Sequence, residues 1–308
     1  MTKTTSDDTR PDDGARPGSD RPIRVALPNK GRLSERALEL FEEAGLRPEF
    51  RADRSLMAAL GDDFQAIFVR AEDVPEYLAD GAAELGVTGA DLVAESGKEI
   101  EEVLDLGFGR CRLVVAAREE SSVRSGADLP SGARVATSFP RIARKHFESL
   151  GVAIEIAPVS GAAEIAPHLG VADVIVDLVS TGSTLRVNGL REVETILHSS
   201  ARLVVSPDAR TDPHVSKAID ELSTALESVL RARAKRYLMA NVPKERLEEV
   251  REVIPGLSGP TIVEVLDSGA WVAAHAVVDA DQVYQTIARL KELGAEGILV
   301  TRIERLMP

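Results

Sequence analysis

From Ile23 onward the chain alternates short apolar runs with stretches whose apolar residues recur every three or four positions. The runs IRVALP (23–28), FQAIFVRA (64–71) and AELGVTG (83–89) are bounded by glycine or polar turns and predict strands. Between the first two, Leu33, Ala37, Leu40, Phe41 and Ala44 share one face of a helix that Ser34 would cap and Gly45 would end. VPEYLADG predicts a short second helix. The same rhythm restarts at CRLVVAAR (111–118) with a strand at ARVATS (133–138), a helix opening at Pro140 and a strand at VAIEIAPV. A helix from Ala162 to Leu169 and a strand beginning at Asp173 follow, then a strand at ARLVVSP (201–207) and one long helix, HVSKAIDELSTALESVLRARAKR. Alternation of strand, loop and helix predicts an α/β fold with largely parallel sheets. Two such units, with the chain passing over and back, predict two lobes facing a cleft.

The last third has another order: a strand KRYLMANV, a helix PKERLEEVREVIPG, and strands PTIVEVLD and WVAAHAVV joined at Ser268-Gly269-Ala270. A helix carrying Val283, Ile287, Leu290 and Leu293 comes next, then a strand GILVTRIERL. The order βαββαβ is the ferredoxin-like plan. Metabolite-sensing domains and plain oligomerisation domains both use it. The boundaries this predicts are a tail over 1–22, a first lobe over 23–113 and 199–233, a second over 114–198, and a C-terminal domain over 234–308.

Composition narrows the classes. The 308 residues carry 50 acids against 37 bases, a net charge of −13, which argues against a protein built to hold nucleic acid or an anionic membrane. A local basic pocket for phosphates remains open. Residues 1–22 are polar and rich in Asp, Pro and Gly, so they read as a disordered tail rather than a signal peptide. With no apolar run near the roughly 18 residues a spanning helix needs, a cytoplasmic location is expected. Cys111 is the single cysteine and the five histidines are scattered, so neither a disulfide nor a protein-built transition-metal site is expected.

The densest chemistry lies in DVIVDLVSTGSTLRVNG (173–189). An apolar strand interrupted by Asp173 and Asp177 runs into Ser180, Thr181, Gly182, Ser183 and Thr184. Strand ends of this kind are where α/β proteins bind ligands, and small residues let backbone N–H groups approach an anion. Asp177 would accept hydrogen bonds from sugar hydroxyls. Read alone, STGST fits a phosphate cradle and an ordinary helix-capping turn about equally well. In RVALPNKGRLSE, Lys30 and Arg32 flank a glycine at a strand's end, which suits a pyrophosphate or a solvated loop.

The strand, the acids and the T-G-x-T pattern resemble the phosphoribosyl-pyrophosphate loop of phosphoribosyltransferases. The usual adjacent pair of acids is replaced here by Asp177-Leu178, and D-x-x-x-D-L-V-S-T-G-x-T-L is the variant found in ATP phosphoribosyltransferases. RVALPNKGRLSE, VRAEDVPEYLADGAAELGVTGADL (69–92), LGFGRCRLVVA, VATSFPRIARKHF, YLMANVP, PGLSGPTI and LGAEGILVTRIERLM resemble the same family in its order, from Ile23 to Met307. The resemblance implies a two-lobed, periplasmic-binding-protein-like catalytic core plus the ferredoxin-like regulatory domain of the long form.

That resemblance also implies a reaction and a set of roles. ATP would attack phosphoribosyl pyrophosphate through N1 of its adenine, giving phosphoribosyl-ATP and pyrophosphate, the first step of histidine biosynthesis. Asp173, Asp177, Ser180, Thr181, Gly182, Ser183 and Thr184 would hold the sugar donor, and Lys30, Arg54 and Arg70 would meet its pyrophosphate. Arg32, Gly89, Asp91 and Phe139 would form the nucleotide pocket. Bland readings of the same residues are a surface ion pair for Arg70 with Asp73, a helix cap for Asp91 and a core position for Phe139. Mg²⁺ would be held mainly by substrate oxygens and water. Histidine would inhibit through Asn241, Ser258 and Thr261, although some family members carry an Asp where this chain has Asn241. Dimers and hexamers are expected, with no separate regulatory subunit. Two lobes around a cleft also describe solute-binding proteins, and a phosphoribosyltransferase acting on another base shares the loop.

Overall fold

A computed structural model describes residues 21–52, 55–265 and 269–307. In chain order the first lobe holds β1 (Ile23–Pro28), α1 (Ser34–Glu43), β2 (Pro48–Phe50), β3 (Met57–Leu60), β4 (Phe64–Val69), α2 (Val74–Ala79), β5 (Leu85–Gly89), α3 (Ala90–Ser96) and β6 (Glu101–Asp105). The second holds β7 (Cys111–Arg118), β8 (Ala133–Thr137), α4 (Pro140–Ser149), β9 (Ile154–Pro158), β10 (Val174–Val179), α5 (Ser183–Val187) and β11 (Leu190–Ser199). The chain returns to the first sheet as β12 (Ala201–Val205) and continues into α6 (Pro213–Arg233). The C-terminal unit is β13 (Lys235–Pro243), α7 (Leu247–Val253), β14 (Thr261–Glu264), β15 (Trp271–Asp279), α8 (Val283–Glu292) and β16 (Glu296–Arg302). No described helix is long and apolar enough to cross a membrane.

The first sheet has seven strands in the order β2-β3-β4-β1-β5-β12-β6. Its centre is parallel: β1 pairs with β4 from Ile23↔Phe64 to Pro28↔Val69 and with β5 on the other side. Ile23, Val25 and Leu27 pack with Leu40 and Phe41 of α1 and with Ile219, Leu222 and Leu226 of α6. The second sheet has five strands, β11-β7-β10-β8-β9. Successive residues of β7 enter opposite cores, Leu113 and Val115 with Phe147, Val114 and Ala116 with Leu185. A strand covered on both faces explains the unbroken apolar run. The four-stranded C-terminal sheet runs β14-β15-β13-β16, all neighbours antiparallel, which is the ferredoxin-like order. Its inner face packs Leu238, Ala240 and Val242 against Val250 and Leu290 of the helices.

The lobes are tied together through α3. Leu92 joins the second lobe's core, and Val93 packs with Ala26, Val74 and Leu78 in a separate cluster of the first lobe. Glu95 of α3 then caps α4 of the other lobe, its Oε1 accepting from the Arg141 N–H and its Oε2 from the Ile142 N–H, both at 2.9 Å. Pro140 starts that helix as the sequence predicts, and a carboxylate at a helix N-terminus is favourable.

Several expectations change. The helix predicted over Ala162–Leu169 is only a 3-10 turn at Ala163–Ile165, because Pro167 cannot continue it. Ser34 is the first helical residue of α1 and makes no side-chain cap. Cys111–Leu113, expected in the first lobe, pair with β10 and β11 in the second sheet, since β7 is continuous to Arg118. β11 was not apparent from the sequence pattern: register shifts at Glu192/Glu194 and Thr195/Leu197 break its period-two alternation. Ser268 of the predicted turn lies outside the described residues.

Candidate active site

The end of β10 carries the chemistry. Gly182 has φ +75° and begins α5, a conformation that L-residues with a side chain rarely adopt. A Cβ there would stand 2.9 Å from Glu192 Oε1 and 3.2 Å from Arg186 Nη1. Thr181 Oγ1 and Ser183 Oγ share a hydrogen bond of 2.9 Å, and Thr181 Oγ1 accepts weakly from the Ser183 N–H. Arg112 donates to the Ser180 carbonyl at 3.1 Å and Arg186 to that of Thr181 at 3.4 Å.

Asp177, Ser180, Thr181, Gly182 and Thr184 line one cavity of 180 Å³ with Glu164. Glu164 comes from the 3-10 turn and was missed in the sequence, because nothing local relates it to a strand thirteen positions later. Burial pushes the Asp177 carboxyl up from its ordinary value, the Leu178 N–H at 2.7 Å pulls it down, and the charge of Glu164 pushes it up again. Two acids thus share a pocket whose other polar groups are hydroxyls and backbone. Oxygen donors of this kind fit sugar hydroxyls or a hard cation such as Mg²⁺. Among the described residues no cluster of three or more His, Cys, Asp or Glu could hold a metal.

Asp173 does not join this group. It precedes β10, about 13 Å of strand from Asp177. Its Oδ2 accepts from the Arg134 N–H at 2.8 Å, while its own N–H bonds the Arg134 carbonyl. This corrects its expected contact with the sugar donor: it fastens the start of β10 to β8.

In the first lobe, parallel pairing of β1 with β4 places Lys30 and Arg70 at the same edge, where the Asn29 N–H bonds the Val69 carbonyl at 2.7 Å. Both side chains are exposed, and Arg70 pairs at 3.1 Å with Glu72 rather than with Asp73. Arg54 lies outside the described residues.

The expected nucleotide pocket is rearranged. Asp91 is fully buried, and its Oδ1 and N–H bond reciprocally to the Ser199 hydroxyl. Arg32 lies 3.7 Å from Asp91 Oδ2 and donates to the Gly109 carbonyl at 2.7 Å. These contacts fasten both crossovers between the sheets, at Gly109 and at Ser199. Asp91 faces the crossover, with Ser199 and Arg32 as its side-chain partners. Gly89 is required by the same turn, since a Cβ would stand 2.1 Å from Asp91 Oδ1. Phe139 is 5% exposed in the second core, which corrects its expected place against a base. Replacing Ser199 by Ala would orphan two buried groups of Asp91. A loss of about 1–3 kcal/mol is expected, to be read from thermal unfolding.

On the C-terminal sheet, Asn241 pairs with Ala273 and Thr261 with His275, so both occupy the face away from α7 and α8, and Ser258 lies exposed in the loop before β14. Tyr237 and His275 share that face through a 3.0 Å hydrogen bond.

The sequence matches a family profile described as ATP phosphoribosyltransferase over residues 70–228 and one described as HisG, C-terminal domain, over 232–305. An ATP phosphoribosyltransferase of Gemmatimonas aurantiaca is 62% identical over 291 residues, covering 93% of this chain and 100% of the relative. One from Methanopyrus kandleri is 52% identical with the same coverage. A solved ATP phosphoribosyl transferase (HisG:HisZ) complex from Thermotoga maritima superposes with a TM-score of 0.60 at 29% identity, covering 68% of this chain and 98% of that one.

Proposed function

The chain belongs to the ATP phosphoribosyltransferase family, in the long form that carries a C-terminal domain, and we propose that it joins ATP to phosphoribosyl pyrophosphate. It is a transferase of histidine biosynthesis. In the proposed reaction the N1 lone pair of adenine forms a bond to C1 of the ribose while the bond from C1 to the pyrophosphate oxygen breaks. N1 carries its lone pair without losing a proton first, so no strong base is needed at the attacking atom. The barrier lies in charge: positive charge grows on the ribose and negative charge on the departing pyrophosphate. Fixed charges and dipoles placed beforehand are the main means of lowering it.

The observation that carries this reading is the cavity at the end of β10, where Asp177 and the Ser180–Thr184 loop converge. The loop's N–H groups and hydroxyls would take the 5′-phosphate. Asp177, with Glu164, would accept from the ribose hydroxyls, and their negative charge would also favour the oxocarbenium-like ribose. Lys30 and Arg70 would meet the pyrophosphate from the first lobe. Mg²⁺ would be held mainly by substrate oxygens and water, with Asp177 and Glu164 as the acids available to it, and would supply Lewis-acid stabilisation of the leaving group. The test is incubation of the protein with ATP, phosphoribosyl pyrophosphate and Mg²⁺, following the ultraviolet absorbance of phosphoribosyl-ATP. No product from ATP, with product from another base, would sink the reading.

Replacing Arg70 by Ala is expected to lower kcat about ten- to a hundredfold while moving the KM for ATP little, because its charge acts on the leaving group. Steady-state rates check this, and near-parental turnover would remove Arg70 from the reaction.

Histidine is the proposed inhibitor, supported by the ferredoxin-like domain and by Asn241 and Thr261 sharing its open face. Asn241 can accept from an amino group but cannot pair with its charge. Histidine is therefore expected to inhibit Asn241→Asp more tightly than the parent; inhibition titrations decide it, and a flat parental curve would rule out feedback. Dimers and hexamers in a cytoplasmic enzyme complete the proposal, with light scattering as the measure of assembly.

A further inference from the structure

Behind the Ser180–Thr184 loop lies a charge pair that no step of the proposed reaction uses. Arg112, aligned with Val179 of β10, donates from Nε to Glu192 Oε2 at 3.0 Å and from Nη2 to Oε1 of the same carboxylate. Its third nitrogen, Nη1, donates to the Ser180 carbonyl at 3.1 Å. One planar guanidinium thus grips a carboxylate bidentately and a loop carbonyl at the same time, which a lysine cannot reproduce.

The carbonyl contact has a directional consequence. In a trans peptide the C=O and the following N–H point in opposite directions. Arg112 on the Ser180 carbonyl, with Arg186 on that of Thr181, turns the Thr181 and Gly182 N–H groups away from the two guanidinium groups. Without those anchors the peptide planes are free to rotate and present carbonyl oxygens to an anion.

The carboxylate contact has an electrostatic one. Glu192 Oε1 stands 2.9 Å from the place of a Gly182 Cβ, so an acid abuts the loop from behind. Unpaired, that acid would repel a phosphate held on the loop. Arg112 neutralises it at the same moment as it aims the loop.

We propose that Arg112 is a positioning residue of the sugar-phosphate site, aiming the loop's N–H donors through the Ser180 carbonyl and cancelling the Glu192 charge. This rests on the loop being the cradle for the sugar donor. The test compares the parent with Arg112→Met, Arg112→Lys and the double variant R112M/E192Q. KM is measured for each substrate, and the Kd of ribose 5-phosphate by calorimetry. Arg112→Met is expected to raise the KM for phosphoribosyl pyrophosphate about tenfold or more, leaving the KM for ATP within about twofold, because an unpaired acid remains beside the phosphate. Adding Glu192→Gln is expected to recover about a third or more of that loss on a logarithmic scale, the sign of coupling between neighbours. Arg112→Lys should fall between parent and Arg112→Met, and it carries the comparison with the double variant if Arg112→Met does not fold.

The ribose 5-phosphate affinities should follow the same order. A double variant as poor as Arg112→Met, or equal rises in both KM values, overturns the role of Arg112 and leaves the loop's assignment standing. Ribose 5-phosphate binding no tighter to the parent than to Arg112→Met overturns it as well. Absence of any turnover of ATP by the parent overturns instead the proposed reaction.

Discussion

Replacing Asp177 by Asn is expected to give a protein that is nearly inactive yet melts higher than its parent at neutral pH. The carboxylate would accept from ribose hydroxyls on both oxygens, and an amide offers only one acceptor. Losing one hydrogen bond to a charged group, at about 1.5–3 kcal/mol, and weakening the other to a neutral one predicts a fall of about a hundredfold or more in kcat/KM for the sugar donor. Stability moves the other way. Burial, with the charge of Glu164 added, raises the folded-state pKa of Asp177 above its unfolded value against the opposing Leu178 N–H. The folded protein then holds the proton more tightly, a contribution fully present below the unfolded pKa and lost as pH rises through the folded one. Above that point the ionised acid weakens the parent fold, and an amide does not. Thermal unfolding across acid to neutral pH should show the two proteins converging at low pH and separating as pH rises. Each 1 kcal/mol recovered corresponds to roughly 2–4 °C in Tm. Parental activity would take Asp177 out of the site, and a lower Tm at pH 7 would mean the Leu178 bond outweighs burial.

Gly182→Val is the second large effect. The position holds φ +75°, which costs an L-residue about 1–2 kcal/mol and is worst for a β-branched side chain. The new Cβ would also strike the Glu192 carboxylate and the Arg186 guanidinium. The loop would have to change shape and turn its donors from the phosphate. Losing even one such donor costs about a hundred- to a thousandfold, so kcat/KM for the sugar donor should drop by about a thousandfold. The fold should survive, because the Leu113 and Leu185 cores on either side of the second sheet are untouched. Near-parental rates in a variant whose loop has changed shape would sink the cradle.

The order of strands and helices was legible because burial writes a local period into the chain. IRVALP and CRLVVAAR are strands in the structure, and βαββαβ appears in the last third as read. The loop at Gly182 was legible for the same reason: its glycine, hydroxyls and acid are consecutive, so their convergence needs no distant partner. Asp173 was misread because it shares that sequence motif while sitting at the strand's opposite end, bonded to Arg134. What buries Phe139 and Asp91 was not legible, because burial of a residue at a helix start depends on what packs over it.

The sequence by itself determined the family pattern, the strand that presents Asp177 and the need for glycine at position 182. Only the tertiary structure decided that Glu164 faces Asp177, that Arg112 and Glu192 stand behind the loop, and that Glu95 of one lobe caps α4 of the other. The physical reason is range. Backbone preference and amphipathic period act over a few residues and are written where they act. The partner of a charge or of a bare helix end is chosen by whichever distant side chain the packed lobes bring within hydrogen-bonding reach.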